Sequence, residues 1–160
     1  MKRRIPQSGD PWFQCAVRYL AQFDRTAAQV ERFLTRKGAS PAQAKQILSR
    51  LSTLRYLDDR AYAARWIETT LARRPMAAER LKSELLARGL SEAVADEMIS
   101  KGMEAVDEEA LARRAVLLQS GEGRRFLPQR VAGLLRRRGF AEDTIERIIR
   151  DCTQTEGSPP

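Results

Sequence analysis

Arginine is the residue type whose number and spacing most suggest chemistry. The chain carries 29 Lys and Arg, of which 24 are Arg and 5 are Lys, against 21 Asp and Glu, for a net charge of +8. A guanidinium is a planar fork that grips phosphate in two places, and it stays charged at neutral pH. It therefore binds polyanions and does not serve as a general acid or base. Arg32 and Arg36 stand one helical turn apart, with Arg25 upstream and Lys37 following. Arg124, Arg125, Arg130, Arg136, Arg137 and Arg138 fall within 15 residues, with no acid between Gly123 and Ala141. Six like charges so placed repel one another unless a partner neutralises them. Arg130 and Arg137 share a face at i, i+7. Arg18, Arg65, Arg73 and Arg74 complete the basic residues expected to line a binding surface. A competing structural role exists for Lys37, Arg88 and Arg138, because cations in the last turn of a helix are stabilised by the helix dipole.

Residue types for catalysis are scarce. There is no histidine, so Ser-His and Cys-His dyads and imidazole-ligated metals are absent. Cys15 and Cys152 are far apart and form no Cys-x-x-Cys pair, which fits a reducing cytosol, although a single disulfide between them stays open as an alternative. Gly121-Glu122-Gly123 starts like a dinucleotide fingerprint and lacks the third glycine. Asp58-Asp59 could hint at a metal-dependent nuclease, yet no third carboxylate lies within helical reach and an N-cap explains Asp58. The expectation is a protein that is not an enzyme, with no catalytic residue, metal or cofactor. Tyr62 and Trp66, at i, i+4, could stack on bases, but aromatics at helical spacing are expected in the core. No apolar run reaches the roughly 18 residues that span a bilayer. Lys2-Arg3-Arg4 is followed by Ile5-Pro6-Gln7-Ser8-Gly9-Asp10 rather than an apolar stretch, so a cytoplasmic location is expected.

The elements that must position these arginines repeat. Gly38, Gly89 and Gly139 are 51 and 50 residues apart. Each follows a basic residue (Lys37, Arg88, Arg138), with leucine four positions earlier (Leu34, Leu85, Leu135) and apolar residues nine and ten positions later. The steps are helical, and each glycine falls where a left-handed residue would end a helix. Thr26-Ala27-Ala28-Gln29 and Ser40-Pro41-Ala42-Gln43 read as capping boxes. A third helix precedes each pair, near Phe13 to Phe23, Asp58 to Arg73 and Asp107 to Gln119. The fold expected is all-α: three tandem three-helix repeats, nine helices, in an elongated, curved, helix-turn-helix-like array. Residues 1–11 are expected to be a flexible basic tail, 12–57, 58–105 and 106–152 the three repeats, and 153–160 a disordered tail. A mobile loop is expected from Ser120 to Arg125. Repeats of this size are small for independent cores, so stacking should supply much of the burial.

Residues 1–57 carry +8, 58–105 carry −1 and 106–160 carry +1. The middle repeat has Ser83 and Ala87 where the first has Arg32 and Arg36. The second helix of a DNA-reading helix-turn-helix should be basic or polar at its start. Here those helices open with Glu92, Asp96 and Glu97, or with Glu142 and Asp143, which repel phosphate. Backbone contact without sequence reading is therefore expected, and a stand-alone, sequence-independent DNA-binding protein is the alternative function.

The stretch Tyr56-Leu57-Asp58-Asp59-Arg60-Ala61-Tyr62-Ala63-Ala64-Arg65-Trp66 resembles the RecX family, regulators of the RecA recombinase. Ala16-Val17-Arg18-Tyr19-Leu20, Arg25-Thr26, Arg80-Leu81, Glu84-Leu85 and Arg88-Gly89-Leu90 extend the resemblance over roughly residues 15 to 151. Tyr56, Leu57, Asp58, Asp59, Tyr62, Trp66, Gly38, Gly89 and Gly139 are its structural hallmarks. Against the family pattern, Arg55 replaces a usual glycine, Tyr62 a phenylalanine and Thr26 a serine. Phe23 stands where a basic residue is common, and Pro75 where glycine is. A monomer is expected. The resemblance implies a non-enzymatic modulator that binds the RecA nucleoprotein filament along its groove. It also implies inhibition of RecA ATP hydrolysis, strand exchange and coprotease activity, and so a role in recombination, DNA repair and the SOS response. Single- and double-stranded DNA would be met through the phosphate backbone, with no membrane partner.

Overall fold

The computed structural model describes residues 10–120 and 127–155. Arg124, Arg125, the tail at 1–9, the loop expected after Ser120 and residues 156–160 lie outside the described residues. Nine helices form among those described, with no strand: α1 Pro11–Gln22, α2 Ala27–Arg36, α3 Pro41–Thr53, α4 Asp59–Arg73, α5 Ala78–Ala87, α6 Glu92–Met103, α7 Glu108–Ser120, α8 Pro128–Arg137 and α9 Glu142–Thr155. The all-α, three-by-three order read from the sequence is what is found.

Local chemistry sets the starts. Both expected capping boxes form, Thr26 with Gln29 on α2 and Ser40 with Gln43 on α3. Asp58 accepts from the Ala61 N–H at 2.9 Å and Asp107 from the Glu109 N–H at 2.9 Å, so both are the N-caps expected. The first and last described helices have their own bounds. Asp10 caps α1 by accepting from Trp12 N–H at 2.9 Å, and Pro11 is already helical. At the other end α9 runs through Thr155.

The stops are written alike. Gly38, Gly89 and Gly139 have φ of +104°, +87° and +80°, in the left-handed region. Behind each, two backbone bonds close the helix. The Ala39, Leu90 and Phe140 N–H groups donate to Leu34, Leu85 and Leu135 carbonyls, and each glycine N–H donates to the carbonyl three residues back. This is the Schellman arrangement, and the residue after each glycine packs inward as the motif requires; Ala39, Leu90 and Phe140 are all buried. The end of α3 has the same bonds, Tyr56 N–H to Leu51 and Arg55 N–H to Ser52. There the left-handed residue is Arg55, at φ +56°, an arginine rather than a glycine.

The chain divides into two compact units. The first comprises residues up to Ala63 together with Leu85–Ala95; the second comprises Ala64–Glu84 and the chain from Asp96 onward. The first unit packs α1, α2 and α3 on one another around Phe13, Ala16, Val30, Leu34, Ala44, Ile47 and Leu51. Its second-repeat segment is fixed by Thr26. That fully buried hydroxyl donates to the Arg88 carbonyl at 2.7 Å and accepts from Gln29 N–H at 3.2 Å. The second unit packs α7, α8 and α9 around Leu111, Ala115, Val116, Val131, Leu135, Ile145 and Ile148, with Ala77 in the same cluster. There the Ala77 N–H donates to the Arg138 carbonyl at 2.9 Å. Thr26 and Ala77 are 51 residues apart, as are Gly38 and Gly89, so each unit uses the same register to seat the next turn.

Two of the hallmark glycines do more than turn. A Cβ on Gly89 would stand 2.4 Å from the Cβ of Ala28, and one on Gly139 would stand 2.9 Å from the Cβ of Arg80. At Gly38 the nearest atom would be Trp12 at 3.9 Å, so only its backbone conformation calls for glycine.

Candidate polyanion-binding surfaces

The paired aspartates are structural. Asp58 caps its own helix, and the Asp59 carboxylate accepts from the Ala27 N–H at 2.9 Å, closing the first turn of α2 from the start of α4. Both carboxylates thus serve helix N-termini. Among the described residues no three His, Cys, Asp or Glu side chains come together as metal ligands. Cys15 and Cys152 are not joined in a disulfide. Tyr62 and Trp66, expected in the core, are only half-buried, while Ala63 and Ile67 are the buried residues of α4. The cause is the helix face: Ala63 and Ile67, at i and i+4, point inward, and the two aromatics lie one position before them. Leu57 is buried and Tyr56 half-buried.

In the first unit, one open groove of about 690 Å³ is lined by Tyr19, Arg25, Gln29, Glu31, Arg32, Thr35, Arg36 and Pro41. The helical spacing of α2 puts Arg32 and Arg36 on the same wall, and the loop before α2 supplies Arg25. Arg32 is tethered by its Nε–H donating to the Ala28 carbonyl at 3.3 Å. Arg25 lies with its guanidinium carbon 4.9 Å from the Tyr19 ring centroid and 5.2 Å from that of Phe23. Its Nε is buried and has no hydrogen-bond partner. Tyr19 in turn stacks on Phe33, with centroids 4.0 Å apart and planes within 6°. Arg18 and Lys37 belong to this unit but do not line the groove. Arg18 is exposed and reaches Gln14 at 3.5 Å, and Lys37 places its ammonium 5.9 Å from the Phe33 ring.

In the second unit the basic residues are differently engaged. Arg74 makes two 2.9 Å hydrogen bonds to the Glu84 carboxylate, which Arg80 also approaches at 3.3 Å. Arg136, expected to be unbalanced, pairs with Glu142 at 2.5 and 2.8 Å. The pair holds the Glu142 carboxyl below its ordinary range and raises the Arg136 guanidinium. The acid lies six residues on, across the Gly139 turn, and a count between Gly123 and Ala141 misses it. Arg138 turns inward and donates from Nη1 to the Pro75 carbonyl at 3.0 Å. Burial lowers its pKa, and neighbouring Arg74 and Arg137 lower it further. Arg65, Arg73, Arg130 and Arg137 are exposed, and the Arg137 guanidinium lies back along α8 over Gly133. The structure therefore brings Arg25, Arg32 and Arg36 together in one groove, and ties Arg74, Arg136 and Arg138 into the fold. Sequence reasoning missed Tyr19, Gln29, Thr35 and Pro41. The signal available was the aromatic series Tyr19, Phe23, Phe33 around the basic residues of α2.

Tandem three-helix modules, turned by left-handed glycines and rich in arginine, define a small all-helical repeat protein. Residues 58–99 match the family model described as RecX, second three-helix domain. The Regulatory protein RecX of Trichlorobacter lovleyi is 30% identical over 144 residues, covering 86% of this chain and 92% of that protein. The same-named proteins of Streptomyces coelicolor and Treponema pallidum are each 29% identical, covering 88% and 89% of this chain and 77% and 85% of their own lengths. The crystal structure of RecX from Lactobacillus salivarius superposes with a TM-score of 0.67 at 22% identity, over 89% of this chain and 95% of that one. This chain belongs to the RecX family of regulatory proteins. No described helix is long and apolar enough to cross a membrane.

Proposed function

We propose that this chain is a monomeric, non-enzymatic, cytoplasmic regulator that binds the RecA nucleoprotein filament. It inhibits RecA ATP hydrolysis, strand exchange and coprotease activity, and so modulates recombination, DNA repair and the SOS response. Family membership supports the partner. The observation that carries the reading is the groove of the first unit, where Arg25, Arg32 and Arg36 face one carboxylate, Glu31. Such a surface suits a phosphate backbone or an acidic protein face. Residues 12–57, 58–105 and 106–152 act as three modules, and several modules meeting successive protomers would gain through effective concentration. Arg18, Lys37, Arg65, Arg73, Arg130 and Arg137, all outside that groove, would extend the basic faces. Both single- and double-stranded DNA would be met through phosphates.

The test is RecA ATPase on single-stranded DNA, titrated with this protein at two salt concentrations. Substoichiometric suppression that weakens at the higher salt is expected. Unchanged hydrolysis at saturating protein overturns the reading, and equal affinity for naked and RecA-coated DNA would favour a stand-alone DNA-binding protein.

A further inference from the structure

Beside the arginine row of the first unit's groove, though not among its lining residues, stands an exposed aromatic, Phe23. Phe23 ends α1 and is 65% exposed, although its neighbours Phe13 and Val17 on the same helix are buried. Its ring is held beside the groove by Arg25, which also contacts Tyr19. Tyr19 is built into the wall through its stack on Phe33, so it cannot also open a face to a ligand on that side. Phe23 is the ring left to solvent. Arg32 and Arg36 stand one turn apart on the groove wall, and the hydroxyl-bearing Thr35 and the amide of Gln29 line it beside them.

We infer that this groove is a single-stranded nucleic-acid site, in which Phe23 stacks on an unpaired base while Arg25, Arg32 and Arg36 hold the adjoining phosphates. The inference deepens the filament reading, on which it rests for the nature of the polyanion. Positive grooves flanked by an open aromatic face are how proteins hold single strands without reading sequence, since every base has a π face. A duplex keeps its bases stacked and offers Phe23 no such face. An acidic peptide would satisfy the arginines and leave the exposed ring without a role, so nucleic acid is the occupant the pair of features favours.

The experiment measures binding of the full chain to a fluorescent oligothymidylate, to an abasic strand of equal length and to a duplex, by anisotropy. Variants Phe23→Ala and Arg32→Ala/Arg36→Ala are compared, and RecA ATPase suppression is measured alongside. Phe23→Ala is expected to weaken oligothymidylate binding about five- to a hundredfold, the loss of one base stack, and to leave abasic-strand binding unchanged. The double arginine variant is expected to weaken both and to flatten the salt dependence. Because Phe23 is exposed, its variant keeps its helical circular dichroism, and a loss of affinity then reports on contact. Equal oligothymidylate binding by wild type and Phe23→Ala overturns the inference, as does equal displacement of the strand by polyglutamate. Suppression of RecA by a protein that ignores the oligonucleotide would sink this site alone and leave the filament reading standing. Phe23-dependent strand binding without RecA suppression would do the reverse.

Discussion

At the residue scale, the glycines that mark the repeat are not equivalent, and the difference is measurable. Gly38→Ala should lose about 1 kcal/mol, the cost of a side chain in the left-handed region. Gly89→Ala carries the same cost and also drives a methyl against Ala28; overpacking of that kind adds about 1–3 kcal/mol. Urea denaturation of the two variants should rank them in that order, and equal losses would mean the Ala28 contact yields freely. Arg55 predicts the opposite sign. It is a non-glycine residue at φ +56°, so Arg55→Gly should raise stability by about 1 kcal/mol, read as a higher urea midpoint. The glycine spacing was legible in the sequence, because left-handed backbone is a local demand that glycine reports directly; the left-handed turn at Arg55 was not, because an arginine carries no such signal. The burial of Trp66 was not legible. Periodicity places a stripe on a helix only to within one position, and at Tyr62 and Trp66 that one position separates the core from its rim.

At the scale of elements, the legible part was the caps and the illegible part was the long-range buttresses. Thr26, Ser40, Asp58 and Asp107 announce helix starts by type and spacing. Nothing local says that Thr26 also donates to Arg88, or that Asp59 reaches Ala27, because those contacts cross 62 and 32 residues. Thr26→Val, which keeps the shape and removes the fully buried hydroxyl, should cost about 1–3 kcal/mol, since the Arg88 carbonyl loses its donor and α2 its cap. Thr26→Ser should recover most of that, and urea midpoints of the two variants decide the matter. A charge effect belongs here too. Glu142 is held below its ordinary range by Arg136, so the pair favours the folded state at pH above the unfolded carboxyl value, about 4.3. That contribution fades as pH falls through the lowered folded value. The stability gap between wild type and Glu142→Gln should therefore be present at pH 6–7 and close under acid conditions. A gap that stays constant down to pH 3 would show that the pair does not couple folding to protons.

At the scale of the whole molecule, a count along the chain placed the excess positive charge in the first 57 residues, and the groove of Arg25, Arg32 and Arg36 is there. The other expected cluster was only partly legible. Arg136 finds Glu142 across a turn and Arg138 finds a carbonyl 63 residues away, partners that a linear tally of signs does not reveal. It follows that Arg138→Ala should behave as a folding variant, lowering the melting temperature, whereas Arg32→Ala/Arg36→Ala should leave the melting temperature within a few degrees and reduce polyanion affinity. Differential scanning fluorimetry paired with a salt titration separates the two. Loss of affinity in Arg138→Ala without loss of stability would move that residue back to the binding surface.

The seam between the compact units runs through α4, α5 and α6, out of step with the period that the glycines mark. Cutting the gene at Leu57, where the written period ends, would strip the Thr26 hydroxyl of its acceptor and bare the flank that Gly89 covers. An excised first trio should therefore open its amides to deuterium quickly. A piece reaching past Ala95 should guard them. The smallest heritable brick of this architecture is thus longer than one period, and lengthening or shortening such a chain by whole periods always means recutting a joint.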